Sequence, residues 1–178
     1  MIDLNDDAFK TTLKETSKDD SDKNNVVYMT NSSLIVTNFD LVKTKYTNSL
    51  KLSEENAASV DAFVPKGDNV YFIEFKNGKL QASDKRNVRD KVRDSLLIYN
   101  DINNITITEN RNSAIFILVY NEAKNKNKSD PVVNPVMKLA NQEKISFGMD
   151  RFKNLFFKEV HTYTEAQFEE FLQNTLEV

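Results

Sequence analysis

The sequence predicts an α/β fold, a mixed β-sheet flanked by helices, on three observations. Two short apolar runs, residues 60–64 and 70–75, are joined by a glycine turn. Residues 114–120 are an unbroken apolar run of strand length. Residues 83–102 carry Val88, Val92, Leu96 and Tyr99 near helical spacing. Strands alternating with helices in this way suit two or three layers around one sheet.

Residues 15–25 are almost wholly polar and read as a mobile linker behind a short N-terminal helix or frayed tail. Residues 26–29 and 34–36 flank the turn-rich spacer Thr30-Asn31-Ser32-Ser33 and predict a hairpin. Asn38 or Asp40 is placed to cap a helix to about Leu50 that buries Phe39, Val42 and Tyr46. If Gly67-Asp68 is a two-residue hairpin loop, Lys66 pairs with Asn69, Phe63 faces Phe72 and Asp61 faces Glu74. Period-2 alternation then puts Lys76 on the face of Glu74. Asn77-Gly78 ends this strand.

Ser83 is the expected N-cap of a helix to about Ile102, whose outer side bears Arg86, Arg89 and Arg93. The run 114–120 fits a strand buried on both faces. A basic loop at 121–130, with Lys124, Lys126 and Lys128, precedes the breakers Pro131 and Pro135. A strand at 155–163 leads into a helix capped by Thr164, with Gln167 at the capping-box position and Phe168, Phe171 and Leu172 facing inwards. No internal repeat stands out, and the chain reads as a single domain, 1–178.

Composition narrows the chemistry. Hydrophobic residues are 39% and charged residues 29%, as in a globular chain. The net charge of −3 argues against a protein that coats nucleic acid by bulk positive charge, but local charge can oppose the overall sign. No apolar run approaches the roughly 18 residues of a membrane span. The acidic start, with Asp3, Asp6 and Asp7, is unlike a secretory signal, which predicts a cytoplasmic protein without membrane contact. The absence of cysteine excludes disulfides, thiolate metal sites and cysteine nucleophiles. Three glycines leave no phosphate-cradling glycine loop, which excludes P-loop ATP hydrolysis. His161 is the only histidine and reads as structural.

Asp61 and Glu74 are the informative pair. Two carboxylates directly opposed across strands are destabilising without compensation, and each raises the other's pKa unless a cation neutralises them. Hard oxygen donors of this kind suit Mg²⁺ or Mn²⁺. Arg86, Arg89 and Arg93 fall at i, i+3 and i+7, one helix face. Such a stripe either pairs with acids in solvent or meets phosphates.

At these residues the chain resembles the PD-(D/E)XK nuclease superfamily: an Asp, then a strand with Glu74-Phe75-Lys76, then a helix, over residues 60–99. Asp61 lacks the preceding Pro of that motif, and Ser95-x-x-x-Tyr99 stands where one branch has Gln-x-x-x-Tyr. The run 72–78, with Lys91 and Asp94-Ser95 downstream, also looks like a group of uncharacterised Gram-positive and phage proteins. The resemblance implies a restriction-endonuclease-like core and Mg²⁺- or Mn²⁺-dependent phosphodiester hydrolysis, on DNA more than RNA. It implies Asp61, Glu74 and the Phe75 backbone carbonyl as metal ligands, with Lys76 orienting water or stabilising developing charge. Arg86, Arg89 and Arg93 would contact the nucleic-acid backbone. A further acid from the preceding helix is expected, with Asp40, Glu54 and Glu55 as candidates. The rival expectation is the same fold with an inactive site, binding nucleic acid or a protein partner in phage or bacterial defence.

Overall fold

The computed structural model describes residues 2–125 and 145–178. Numbered in chain order, β1 is Lys10–Thr12, β2 Lys18–Asp19, β3 Val27–Tyr28, β4 Ile35–Asn38, β5 Ala62–Lys66, β6 Asn69–Lys76, β7 Ala114–Tyr120 and β8 Glu159–Thr164. The helices are α1 Leu13–Thr16, α2 Phe39–Ser49, α3 Ala82–Asn103, α4 Ile107–Ser113, α5 Glu122–Asn125 and α6 Glu165–Phe171. Six strands form one mixed sheet in the order β1-β4-β5-β6-β7-β8. The pairs from β1 to β6 are antiparallel, and β6-β7 and β7-β8 are parallel. The parallel β6-β7 connection needs a crossover, which α3 and α4 supply.

The hairpin forms in the expected register, with Lys66 opposite Asn69 and Phe63 opposite Phe72. Gly67 takes φ +58° and Asp68 does not share a positive φ, which fits a type II′ loop with glycine first. Alternation then sorts the sheet into two cores. Phe63, Phe72, Phe116 and Leu118 point to the face covered by α2 and α3. Ile73, Phe75, Ile117 and Val119 point to the face covered by α1 and α6. β7, flanked by parallel strands and helices on both sides, is buried from Ala114 to Val119.

Local chemistry sets the helix starts. Asn38 caps α2 by accepting the Asp40 and Leu41 amides at 3.0 and 3.4 Å. Thr164 and Gln167 form the expected capping box, at 2.9 and 3.3 Å, and Phe168 and Leu172 are buried beyond it while Phe171 is half-buried.

Several expectations are corrected. Residues 26–29 and 34–36 do not form a hairpin: β3 pairs with β2, and β4 pairs with β1 and β5. Residues 15–25 are not a free linker, because β2 lies within them and Ser17 is buried, its Oγ accepting the Thr30 amide at 3.3 Å. α3 starts one residue before Ser83, after Gln81, whose amide donates to Asp84 Oδ2 at 2.9 Å; the acid satisfies the exposed end, so Ser83 is helical. The last strand starts at Glu159 rather than near Leu155. Lys126, Lys128, Pro131 and Pro135 lie outside the described residues, and Lys124 is in α5. Among the described residues, no helix is long and apolar enough to cross a membrane.

Candidate functional site

The hairpin brings Asp61 and Glu74 together at the end of its ladder. The Asp61 amide donates to the Ile73 carbonyl at 3.1 Å, and the Asp61 carbonyl accepts the first amide of α2, from Phe39, at 3.3 Å. β5 pairs only from Ala62, so the Asp61 side chain continues where the strand stops: its Oδ2 accepts the Phe75 amide at 2.7 Å. α3 fixes the approach to this corner. Asp94 Oδ2 accepts the Ala58 amide and the buried Ser95 Oγ accepts the Val60 amide, both at 2.9 Å. Tyr99 packs its ring on Phe63 and Phe72, with centroids 5.2 and 5.4 Å away. Ser95 and Tyr99 thus position the loop and hairpin that carry Asp61.

Glu74, on the α3 face of β6, is fully buried, and two ammonium groups answer it. Lys76 Nζ is 3.0 Å from Glu74 Oε1. Lys91, from α3, is 2.9 Å from Oε1 and 3.1 Å from Oε2, and 3.3 Å from Asp61 Oδ1. Oε1 lies within ion-pair distance of both lysines but receives no directed hydrogen bond from either. Lys91 occupies the space between the two carboxylates.

The electrostatics follow from this enclosure. Burial, then the neighbouring Glu74 carboxylate, pushes Asp61 up to about 7, against the pull of Lys91, the Phe75 amide and Lys76. Burial opposes the charge on Lys91, but Glu74 and Asp61 outweigh it and raise its pKa above the ordinary lysine range. The Asp61 shift has a definite sign. Between an ordinary carboxylate pKa of about 4 and the folded value of about 7, the native state holds more protons than the unfolded chain, so this group's contribution to stability falls as pH rises through that window. Melting temperatures measured from pH 4 to 8 without divalent ions should therefore show a downward component in the wild type that Asp61→Asn removes.

The remaining candidates are less central. Asp40 accepts the Ser59 hydroxyl and adds its charge to those acting on Lys91. Glu54 instead accepts the Thr44 hydroxyl at 3.0 Å, and Glu55 is exposed. Of the three acids, Asp40 is the one tied to the site. Phe75 turns its ring to the opposite face, against Phe168 at 5.5 Å. His161 also belongs to that face, stacked on Tyr163 at 5.3 Å and 3.1 Å from Glu159.

The arginine stripe sits elsewhere on α3. At 3.6 residues per turn, Arg89 and Arg93 are each about 200° of rotation from Lys91, so they flank the segment 147–152 rather than the carboxylates. Arg93 lies over the Phe152 ring at 5.8 Å and 3.7 Å from Asp90. Arg89 Nη2 would stand 3.3 Å from a Cβ at Gly148, and its Nε is buried without a hydrogen-bond partner among the described residues. Lys85 lies over Phe147 at 5.7 Å, and Arg86 is exposed.

Lys91 is the site residue that spacing alone does not assign. The signal for it is position: Val88, Val92 and Ser95, its neighbours on the inward face of α3, are buried, so a lysine there must find carboxylates or be expelled.

The donors fit a hard cation in kind. Among the described residues no group of three or more His, Asp or Glu converges, but Mg²⁺ typically keeps several waters and takes only one or two protein carboxylates. Glu74 Oε1, buried and without a directed hydrogen bond, is the oxygen on which both ammonium groups converge, at 3.0 and 2.9 Å. Asp61 and Glu74 would hold such an ion, in the space Lys91 now fills. No family model, curated protein or solved structure matches the chain.

Proposed function

We propose that this protein is a Mg²⁺- or Mn²⁺-dependent phosphodiesterase of the restriction-endonuclease-like fold, cutting DNA in preference to RNA. The observation that carries the reading is the convergence of the Asp61 and Glu74 carboxylates on one cationic position beside Lys76, at the end of a buried hairpin. Asp61 and Glu74 would hold a divalent ion there, which when bound would supply Lewis acidity and lower the pKa of a water so that hydroxide becomes the nucleophile. Lys76, beside Glu74 with its side chain 26% exposed, would stabilise negative charge developing on a phosphoryl oxygen. Ser95 and Asp94 hold the backbone that aims Asp61. The experiment is cleavage of linear DNA in Mg²⁺ or EDTA: Mg²⁺-dependent products are expected from the wild type and none from Glu74→Gln, with the variant's fold checked by circular dichroism.

The local charge favours nucleic acid over a small phosphodiester. On a chain of net charge −3, Lys85, Arg86, Arg89 and Arg93 lie along one side of α3, turned from the carboxylate corner, and Arg86 and Arg93 are the exposed ones. These side chains would position the backbone without reading bases. Replacing Arg86 and Arg93 by Gln should weaken DNA binding about equally across sequences and flatten the dependence of log K on log salt by roughly one unit for each phosphate no longer neutralised. Filter binding from low to moderate salt measures this.

One observation favours the rival reading, an inactive nuclease-fold module that binds nucleic acid or a protein partner. Lys91 and Lys76 already neutralise both carboxylates, so the corner is balanced without an ion. Such a module would be indifferent to divalent metal in both folding and binding.

A further inference from the structure

We infer that Lys91 is a tethered counter-ion that holds the cation position between Asp61 and Glu74 and is displaced when a divalent ion binds, so that it sets the metal affinity of the site; this rests on the cation-site reading above. The geometry separates the two lysines. Lys91 touches both carboxylates, at 2.9 and 3.1 Å from Glu74 and 3.3 Å from Asp61, whereas Lys76 is within ion-pair distance of Glu74 but not of Asp61. An ion bridging the carboxylates therefore competes with Lys91 for the same oxygens and can leave Lys76 beside Glu74.

Charge balance points the same way. With both carboxylates ionised, as metal ligands must be, two carboxylates and two ammonium groups sum to zero, so adding a divalent ion leaves a surplus of two positive charges in a buried corner. Departure of Lys91 lowers that surplus to one, which the single negative charge of a phosphodiester cancels. Burying uncompensated charge is costly, so displacement of Lys91 and arrival of substrate each relieve the ion-bound corner. The side chain is able to leave: 19% of it is exposed, and its stem is long and flexible. Asp40, 57% exposed, 3.9 Å from Lys43 and already acting on the Lys91 charge, would offer the released ammonium an acid at the solvent edge.

If only a minor fraction of molecules has Lys91 swung out, apparent metal affinity is reduced by that fraction. Lys91→Met keeps the stem length and removes the competitor. Calorimetric titration of the full chain with Mn²⁺ should give a Kd about tenfold or more tighter in Lys91→Met than in the wild type. In parallel, acylation of wild-type Lys91 by an amine-reactive reagent, read by peptide mass spectrometry, should rise on saturation with Mn²⁺. The labelling result decides alone if the variant does not fold. Mn²⁺ binding to the wild type with equal or weaker affinity in the variant, or with Lys91 still protected, would overturn the displacement and leave the cation site standing. No Mn²⁺ binding by either protein would overturn both.

Discussion

Lys91→Met should destabilise the metal-free protein by about 3 kcal/mol or more, because it strips the shared partner from two enclosed carboxylates. Glu74 is fully buried and Asp61 only 17% exposed, so water cannot replace the ammonium cheaply. Lys76 remains, but its ion pair is with Glu74 and its pull on Asp61 is weaker than that of Lys91. Urea unfolding in EDTA should register the loss as a lower midpoint with an unchanged slope. Since the cause is charge left unpaired rather than weaker packing, the double variant Glu74→Gln/Lys91→Met should recover a substantial part of it, a coupling that two unrelated sites would not show. Additive losses would identify Lys91 as a packing residue.

Glu74→Gln should reduce Mg²⁺-dependent DNA cleavage by about a thousandfold or more, roughly 4 kcal/mol of transition-state stabilisation. The amide is nearly isosteric, so the β6-β7 ladder and the Phe72 and Phe116 packing should persist. Removing one charge relieves the opposed carboxylates but takes an ion-pair partner from Lys76 and Lys91; these ammonium groups are 26% and 19% exposed where Glu74 is fully buried, so this variant should be no less stable than Lys91→Met. Activity and stability should therefore part company: Glu74→Gln folded and inactive, Lys91→Met weakened in fold when metal is absent. Single-turnover cleavage with enzyme in excess separates this loss from a change in DNA affinity.

The carboxylate pair was legible because a two-residue loop leaves one register, and a slip by one residue would have turned Phe63 and Asp61 of one strand away from the face that Phe72 and Glu74 share. The buried strand at 114–120 and the helix caps at Asn38 and Thr164 were legible for similarly local reasons. The N-terminal pairing was not. β1 is Lys10-Thr11-Thr12, with no apolar alternation, and it joins the sheet beside a strand distant in the chain, as in the pair Thr12↔Ile35. β3 offers two residues to a partner chosen by tertiary contact, not by the turn beside it. α4 carries a local signal that its short length obscures: Thr106-Ile107-Thr108-Glu109 closes a capping box, with the Glu109 carboxylate accepting the Thr106 amide at 2.6 Å.

The site repeats that division. Alternation along β6 placed Glu74 and Lys76 on one face, but the partner that bridges Glu74 to Asp61 comes from a separate helix, 30 residues beyond Asp61. Which turn of α3 meets the hairpin end depends on how Val88, Val92, Leu96 and Tyr99 seat against Phe63 and Phe72. That is a packing result, and helical periodicity alone does not rank Lys91 above Arg89 or Arg93. Of the arginines predicted as a phosphate-contacting stripe, Arg93 lies over Phe152 and Arg89 beside Gly148, while Arg86 is exposed.

The central claim, that Asp61 and Glu74 together hold one divalent ion, is tested most directly by electron paramagnetic resonance of Mn²⁺ titrated into the wild type and into Asp61→Asn/Glu74→Gln. Free Mn²⁺ gives a strong signal that broadens on binding, so stoichiometry is read from the fall in signal. The account predicts one ion bound per wild-type chain and none at the same concentration in the double variant. Equal binding by both proteins, or none by the wild type, would contradict it.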